Sequence, residues 1–334
     1  MTTPRQIHAG LVLLLPILVA ALDLSVGAAL AMVVILLAWR WALSLSGIAG
    51  AGGGTRLVLD TMPASHFVEK VRWCLDRLGA EYAENANVGV LGVLFTGRTV
   101  PRLRFSSGIV ESRIGNSPEI LRYLWGAYGS QAGKTASFLE PTEERLQLER
   151  RLERYGVNQQ VWFYYHMLES RELTLHAWGA DSDRVPRWQR LAVRPLYPLL
   201  KAFLRRAFKI NASHYARVVT RIEELLNEVD TLLADGRRSI LGGAEPDFAD
   251  ITFAALSGLW LQPPGYGGGR AEGCLLDRER LPAAMQNDIR RWIADYPRAV
   301  AFVERLYRDE RRAGTKDIAA GPTTQVHDQG GDSR

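Results

Sequence analysis

A serine and a histidine stand where a predicted β-strand gives way to a predicted helix. Residues 56–60 favour a strand, and Pro63 ends it, because proline fixes φ and supplies no backbone donor. Ser65 then falls at the N-cap of the next helix. Free N–H groups and the positive end of the helix dipole converge there, so this position can stabilise a thiolate or a carboxylate. Ser65 is equally suited to be only a cap, and His66 beside it is a candidate second donor or base, or a polar residue without a role.

The helix that follows Ser65 has a clear apolar stripe and a clear end. Gly79 is placed to close it as a C-terminal cap. Lys70 and Arg72 are predicted to lie on its solvated face, where they would add to a positive field over an anionic ligand. The inward positions are spaced three and four residues apart: Phe67, Val71, Cys74, Leu75 and Leu78.

Two further segments continue this pattern. Thr99-Val100-Pro101 precedes an apolar alternation, which puts the proline at the head of a strand, where its missing N–H is tolerated. After a predicted hairpin, Asn116 and Ser117 open another helix, with Pro118 in its first turn. The order is therefore strand, helix, strand, hairpin and helix.

These segments together resemble the glutathione transferase family over most of the chain past residue 55. The resemblance is carried by a serine at a helix start followed by KVR, by VP before a strand, and by a serine before ILRYL. It implies a thioredoxin-like α/β domain with a mixed four-stranded sheet over residues 55–128. An all-helical glutathione transferase C-terminal domain is then expected over residues 136–311.

The resemblance also implies roles for individual residues. Val100 would pair its backbone with the cysteine of glutathione, Pro101 would be a cis proline, and Ser117 would bind the γ-glutamyl carboxylate. Ser65 stands where the family has its catalytic serine or cysteine, so the glutathione thiol would ionise there and attack an electrophilic carbon. Asn116 departs from many relatives, which carry an acidic residue at this place, because an amide brings no charge.

An aromatic cluster ends the long helix predicted over residues 143–168. In the related fold this helix flanks the cleft that takes the electrophile, so Tyr155, Trp162, Tyr165 and His166 are candidates for an apolar electrophile pocket. Aromatic residues at helical spacing are also typical of a packed core, and that reading is favoured.

Two other helices carry local signals. Asp247 and Asp250 have N-cap and N3 spacing before an apolar run, which predicts a capping box with a structural role. Residues 195–208 form a basic amphipathic helix, which fits either contact with anionic lipid headgroups or an ordinary surface helix with a charged face.

Two apolar runs, residues 7–22 and 24–41, precede the domains and are separated by Asp23. They predict a transmembrane helical hairpin over residues 1–46, with a tight turn at residues 23–27 and both ends on the positive, cytoplasmic side. A single anchor and a cleavable signal peptide are the alternatives. A glycine-rich linker is expected over residues 47–54.

The composition gives no indication of a nucleic-acid-binding protein, a disulfide-stabilised protein or a metalloprotein. The net charge of +5 is diffuse and no nucleic-acid motif is present, while the two cysteines, Cys74 and Cys274, suggest neither a disulfide framework nor a metal site. Residues 312–334 have no apolar period and are expected to be disordered.

Three functions remain open from the sequence. The first is a membrane-anchored glutathione transferase with its domains in the cytoplasm. It would use glutathione as co-substrate and take small apolar electrophiles near membrane lipid, with a homodimer as the assembly that the resemblance suggests. The second is a non-catalytic module that binds glutathione or a lipophile. The third is a membrane transport or channel protein of the same fold, and fold alone does not decide among them.

Overall fold

The computed structural model describes residues 11, 19, 25–49, 56–89, 91, 100–107 and 110–311. Residues 50–55 and 312–334, which include most of the predicted linker and the predicted tail, lie outside the described residues, as does most of the first apolar run.

The first described helix, α1, spans Val26–Ala49. Ser25 starts it: its Oγ accepts from the N–H of Ala28 at 3.3 Å and its carbonyl oxygen accepts from the N–H of Ala29 at 3.0 Å. The turn expected around Asp23 would have included Gly27, which is helical instead.

The transmembrane hairpin predicted over residues 1–46 is wrong as part of the fold class. Among the described residues, no helix combines the length and the apolar character needed to cross a bilayer. In α1 the apolar stretch from Val26 to Trp39 stops at Arg40, which is short of the ~20 residues that a spanning helix needs.

A mixed four-stranded sheet follows α1. Strand β1 is Arg56–Thr61, helix α2 is His66–Leu78, and β2 is Tyr82–Ala86. Strand β3, Arg102–Ser107, and β4, Val110–Gly115, form a hairpin. The strand order is β2-β1-β3-β4, with β1 parallel to β2 and β3 antiparallel to both neighbours, as predicted for a thioredoxin-like domain.

The rest of the described chain is helical, as predicted. Helix α3 completes the sheet domain, a 3-10 segment at Gly133–Leu139 follows it, and seven further helices form the second half of the molecule. Their bounds are α3 Ser117–Ala132, α4 Glu143–Met167, α5 Arg171–Ala177, α6 Arg187–Ala207, α7 Ala212–Leu232, α8 Phe248–Leu261, α9 Ala283–Asp295 and α10 Pro297–Asp309.

Helix α8 lies in the centre of the helical half, and its N-terminus has the capping box. The Asp247 carboxylate accepts from the N–H groups of Ala249 at 2.7 Å and Asp250 at 3.4 Å, while Asp250 accepts from the N–H of Asp247 at 2.9 Å. Asp250 also accepts from the N–H of Ile240 at 2.7 Å. The buried start of α8 therefore has its free N–H groups satisfied by side chains.

Helix α2 is buried on nearly every side, with α8, α3 and the 3-10 segment Tyr266–Gly269 packed against it. The prediction that Lys70 and Arg72 lie on a solvated face is wrong, since both side chains are fully buried. Lys70 Nζ lies 2.8 Å from Glu149 Oε1 and 2.7 Å from Glu153 Oε1, two carboxylates on α4. Burial of these charges is possible because they are paired.

A buried network of arginines and carboxylates joins the two halves. Arg72 contacts Glu84 with two parallel hydrogen bonds of 2.7 and 3.0 Å. Arg311 contacts Glu69 and Asp76, each at 2.8 Å. We call this set the interdomain ion cluster: Glu69, Arg72, Asp76, Glu84, Arg270 and Arg311.

Candidate functional site

Ser65 is the N-cap of α2, as its sequence position predicts. Its Oγ accepts from the N–H of Val68 over a long 3.5 Å, and its carbonyl oxygen accepts from the N–H of Glu69 at 2.9 Å. Because Oγ acts as an acceptor in the cap, its own proton is left to donate elsewhere. Ser65 therefore offers an O–H donor at the positive end of a 13-residue helix.

A cavity of about 620 Å³, counting its open mouth, lies directly beside Ser65. Its wall is mostly apolar and aromatic, and it comes from both halves of the molecule. The residues that line it are Met62, Ala64, Ser65, His66, Gly89, Gln160, Phe163, Tyr164, Ala177, Trp178, Leu259, Gln262, Tyr266, Cys274, Leu275 and Leu276. This composition suits a small apolar molecule held next to the Ser65 hydroxyl.

His66 is held by the backbone of α4. Its Nε2 lies 3.1 Å from the carbonyl oxygen of Gly156, and because a carbonyl only accepts, Nε2 carries the ring proton. Burial disfavours the imidazolium and lowers the pKa of His66 to about 4, although the Gly156 carbonyl offsets part of this effect. At neutral pH His66 is therefore an uncharged ring whose Nδ1 can only accept.

The lowered pKa of His66 predicts a pH dependence of stability. The unfolded state binds the proton near pH 6.5 and the folded state only near pH 4, so the free energy of unfolding should fall as the pH drops through this window, by about 3 kcal/mol in full. In His66→Gln, whose amide can still donate to Gly156, this part of the pH dependence should be absent. Urea unfolding of parent and variant at pH 7 and pH 4.5 gives the loss of stability between the two pH values. An equal loss in His66→Gln and in the parent would show that His66 is not its source.

Val100 and Pro101 lie just ahead of β3, and the peptide bond between them is cis. Pro101 is buried, and Val100 is half-buried and packs on the core. This is the arrangement that the family resemblance implies at the position where a peptide ligand would pair with the Val100 backbone.

Asn116 and Ser117 begin α3. Asn116 is exposed and has a left-handed backbone with φ of 72°, a conformation that asparagine tolerates better than most residues. Ser117 is buried, and its Oγ donates to Glu153 Oε1 at 3.3 Å. A ligand carboxylate at Ser117 must therefore replace Glu153 as the acceptor of that proton, and it would do so beside a second negative charge.

Neither Lys70 nor Arg72 contributes a free positive charge to this site. Lys70 is neutralised by Glu149 and Glu153, and Arg72 by Glu84. The positive field at Ser65 comes instead from the helix dipole and the free N–H groups of the first turn of α2.

The four candidates for the electrophile pocket do not line the cavity. Tyr155 is buried with its hydroxyl 2.9 Å from Ser257 Oγ, and Tyr165 stacks on Tyr215. Trp162 Nε1 and His166 Nε2 contact Asp288 Oδ2 at 2.9 and 3.2 Å.

These contacts around Asp288 form part of the core. Burial alone would raise the pKa of the Asp288 carboxyl, but the hydrogen bonds from His166, Tyr215 and Trp162 outweigh it and lower the pKa. Asp288 is thus the buried acceptor that fixes the aromatic cluster, in line with the core reading of that cluster.

The sequence reasoning missed the residues of α4 that do reach the cavity. Gln160, Phe163 and Tyr164 belong to the same aromatic segment but lie on another face of the helix. Successive residues of an α-helix are turned by about 100°, so a shift of one position selects a different face. Trp178, from the short connection after α5, had no sequence signal at all.

Residues 212–305 match the model of the family described as glutathione S-transferase, C-terminal domain. Over this range the chain is similar to the glutathione S-transferase C-terminal domain. The match confirms the resemblance to the glutathione transferase family stated from the sequence. A comparison with curated proteins gives no match.

Several solved structures are similar to this chain at low sequence identity. A glutathione S-transferase from Methylobacterium radiotolerans in complex with glutathione sulfonate is 18% identical, with a TM-score of 0.44, covering 81% of this chain and 99% of that chain. A glutathione transferase from Phanerochaete chrysosporium is 15% identical, with a TM-score of 0.47, covering 76% and 97%. A theta class enzyme from Xanthomonas axonopodis with glutathione bound is 17% identical, with a TM-score of 0.35, covering 73% and 96%.

The matched range begins at the start of α7 and includes α8 with its capping box. It contributes Leu259, Tyr266 and Cys274 to the cavity. The other cavity residues on α4, and Trp178, precede the matched range, so the cavity wall combines the matched domain with the rest of the chain.

Proposed function

We propose that this protein binds glutathione and transfers its thiolate to a small apolar electrophile. The observation that carries the proposal is the position of Ser65, a hydroxyl with a proton to donate at the start of α2, next to an apolar cavity. Val100 beside the cis peptide bond and Ser117 at the start of α3 supply the other positions that a bound tripeptide would use.

The energetic requirement at Ser65 is modest. A free thiol titrates near ~8.5, so a pKa of about 7 needs roughly 2 kcal/mol of preference for the thiolate. A helix N-terminus supplies about 0.3–1 kcal/mol and a hydrogen bond to a charged group about 1.5–3 kcal/mol. The Ser65 hydroxyl and the dipole of α2 together are sufficient, without a charged side chain.

The chemical step then needs no further group from the protein. The thiol loses its proton to solvent, and the sulfur of the resulting thiolate, held by the Ser65 O–H, attacks an electrophilic carbon. A C–S bond forms, and the leaving group departs with its electron pair. Phe163, Tyr164 and Trp178 would hold the apolar part of the electrophile within reach of the sulfur.

A second candidate function is non-catalytic binding of glutathione or a lipophile. It is favoured by the start of α3, where Asn116 carries no charge and where the Ser117 hydroxyl already donates to Glu153. Both features would weaken the hold on the γ-glutamyl end, and so misplace the thiol relative to Ser65.

Calorimetric titration of the full chain with glutathione, followed by an assay with a chlorinated nitroarene, tests both functions. Binding together with formation of the thioether is the expected result. Binding without turnover of any apolar electrophile would favour the second candidate. If glutathione produced no heat and no shift of the melting temperature, the proposed function would be wrong.

A further inference from the structure

The charge of the chain is not diffuse, as its composition suggested, because the segment from Arg184 to Ile222 carries an excess of positive charge. It contains ten arginines and lysines and not one aspartate or glutamate. The net charge of the whole chain is only +5, so the remainder of the chain is net acidic. Helix α6 and the first half of α7 therefore form the basic region of this protein.

Helix α6 is fixed to the rest of the molecule by one face. Val193, Leu200 and Leu204 are buried, and Tyr197 donates to the carbonyl oxygen of Leu168 at 2.8 Å. Gln189 accepts from the N–H of Val88 at 2.8 Å, which holds the start of α6 against the sheet domain. The orientation of the helix is thus set by packing, and its remaining faces point outwards.

A second face of α6 is apolar and exposed. The side chains of Leu191, Leu196, Leu199 and Phe203 are 59%, 39%, 68% and 54% exposed. They run along most of a helix of 21 residues, which is about 32 Å long at 1.5 Å per residue. Single exposed leucines are common, but a row of this length usually marks a contact surface.

The basic residues around this row fall into two groups. Arg190, Arg194, Lys201 and Arg205 pair with acidic residues that lie just outside the basic segment, at 2.6 to 3.0 Å. A second group is without a carboxylate partner among the residues that the structure describes: Arg187, Arg206, Lys209, Arg217 and Arg221.

Arg187 stands at the far end of α6, and the other four members of the second group lie near the junction of α6 and α7. The pKa of His214, which lies there, is lowered by its partial burial and then by the positive charges of Arg217, Arg221 and Lys209. An exposed apolar row bordered by unneutralised cations is complementary to a bilayer with anionic headgroups, which offers negative charge above an apolar layer. A protein partner would need a matching groove with acidic rims along the whole helix.

We propose that α6 docks in the plane of an anionic lipid bilayer, with Leu196, Leu199 and Phe203 at the boundary between headgroups and acyl chains. Arg187, Arg206 and Arg217 then lie near lipid phosphates. This contact is peripheral, since the helix lies along the surface, and it goes beyond the proposed glutathione chemistry.

A polarity-sensitive dye attached at position 203 tests the proposal locally in the full chain. Cys274 is first replaced with serine because it lines the cavity, and Cys74 is fully buried, so that in Phe203→Cys the dye reacts at one site. Vesicles of phosphatidylcholine with phosphatidylglycerol should shift the dye emission to the blue, and phosphatidylcholine alone should not. The same dye on Ala301→Cys, an exposed position of α10, should respond to neither vesicle.

Charge-matched variants distinguish the contribution of the α6 surface to vesicle binding from the contribution of net charge. In the labelled protein, Arg206→Glu with Arg217→Glu should weaken the apparent affinity for anionic vesicles at least tenfold, and raised salt should do the same. Arg280→Glu with Arg290→Glu, which changes the net charge equally on exposed residues elsewhere, should leave it within about threefold.

Three results would overturn the proposal. A dye at position 203 that ignores anionic vesicles would exclude docking by α6. An equal response to neutral and anionic vesicles would remove the role of the cations. A blue shift that grows with protein concentration in the absence of vesicles would show that a second copy of the chain covers the row.

Discussion

Replacing Ser65 with alanine should lower kcat/KM for glutathione conjugation about 100-fold and change the Kd of glutathione by no more than about threefold. Loss of one hydrogen-bond donor to a developing or bound anion typically reduces rates by ~10²–10³. Because the donor acts on the sulfur and the rest of the tripeptide is held elsewhere, the loss should appear in the rate and in the thiolate population. Steady-state kinetics and calorimetry measure the two quantities separately.

A matched control is available for the structural part of this change. Thr142 is the N-cap of α4, and its side chain accepts from the N–H of Arg145 at 3.4 Å, much as Ser65 accepts from Val68. Thr142→Ala should therefore lower stability by a similar ~1 kcal/mol and leave conjugation unchanged. Full activity in Ser65→Ala would remove Ser65 from the mechanism.

Glu69→Gln should destabilise the folded protein by about 3–5 kcal/mol, the usual cost of breaking a buried ion pair by removing one partner. Glu69 is fully buried and lies 2.8 Å from Arg311 and 3.4 Å from Arg72. The amide keeps the shape of the side chain but leaves two buried guanidinium groups short of a negative charge. Urea denaturation of the variant and the parent gives the difference.

Two further variants test whether the loss of stability in Glu69→Gln comes from the interdomain ion cluster. Glu304→Gln, on an exposed face of α10, should change the free energy of unfolding by less than about 0.5 kcal/mol. Adding Arg311→Gln to Glu69→Gln should recover part of the loss, because both residues belong to the interdomain ion cluster. A cost below about 1 kcal/mol for Glu69→Gln would show that the cluster is not a significant part of the contact between the halves.

The order of elements around Ser65 was predictable because its signals are local. Pro63 ends a strand, Gly79 closes a helix in the left-handed conformation with φ of 65°, and Pro101 begins a strand. Such signals come from residues that are close in sequence, so they do not depend on the tertiary packing around them. The spacing of Asp247 and Asp250 predicted the start of α8 for the same reason.

The charged side chains of α2 were not predictable in this way. Lysine and arginine side chains are usually exposed, so the burial of Lys70 and Arg72 depends on carboxylate partners. Glu149 lies 79 positions from Lys70, and Glu84 lies 12 positions from Arg72 on another element. A single sequence does not show which acid meets which base. The burial of Glu69 depends on Arg311, 242 positions away, in the same manner.

The cavity was partly predictable. The aromatic segment of α4 was identified, but the prediction of which face lines the cavity was wrong. Aromatic residues occupy both faces of this segment, so helical periodicity alone does not distinguish the core face from the cavity face. The N-terminal hairpin was predicted from two apolar runs taken as separate passes. The second run forms α1, whose apolar stretch ends at Arg40.

Titration of the thiol of bound glutathione tests the central claim most directly. The change of ultraviolet absorbance with pH, recorded for the complex with the full chain and for Ser65→Ala, gives the thiol pKa at the start of α2. The account predicts a pKa at least one unit below the ~8.5 of a free thiol in the parent, and a return towards that value in Ser65→Ala. A bound thiol that titrates in the parent as it does in solution would contradict it.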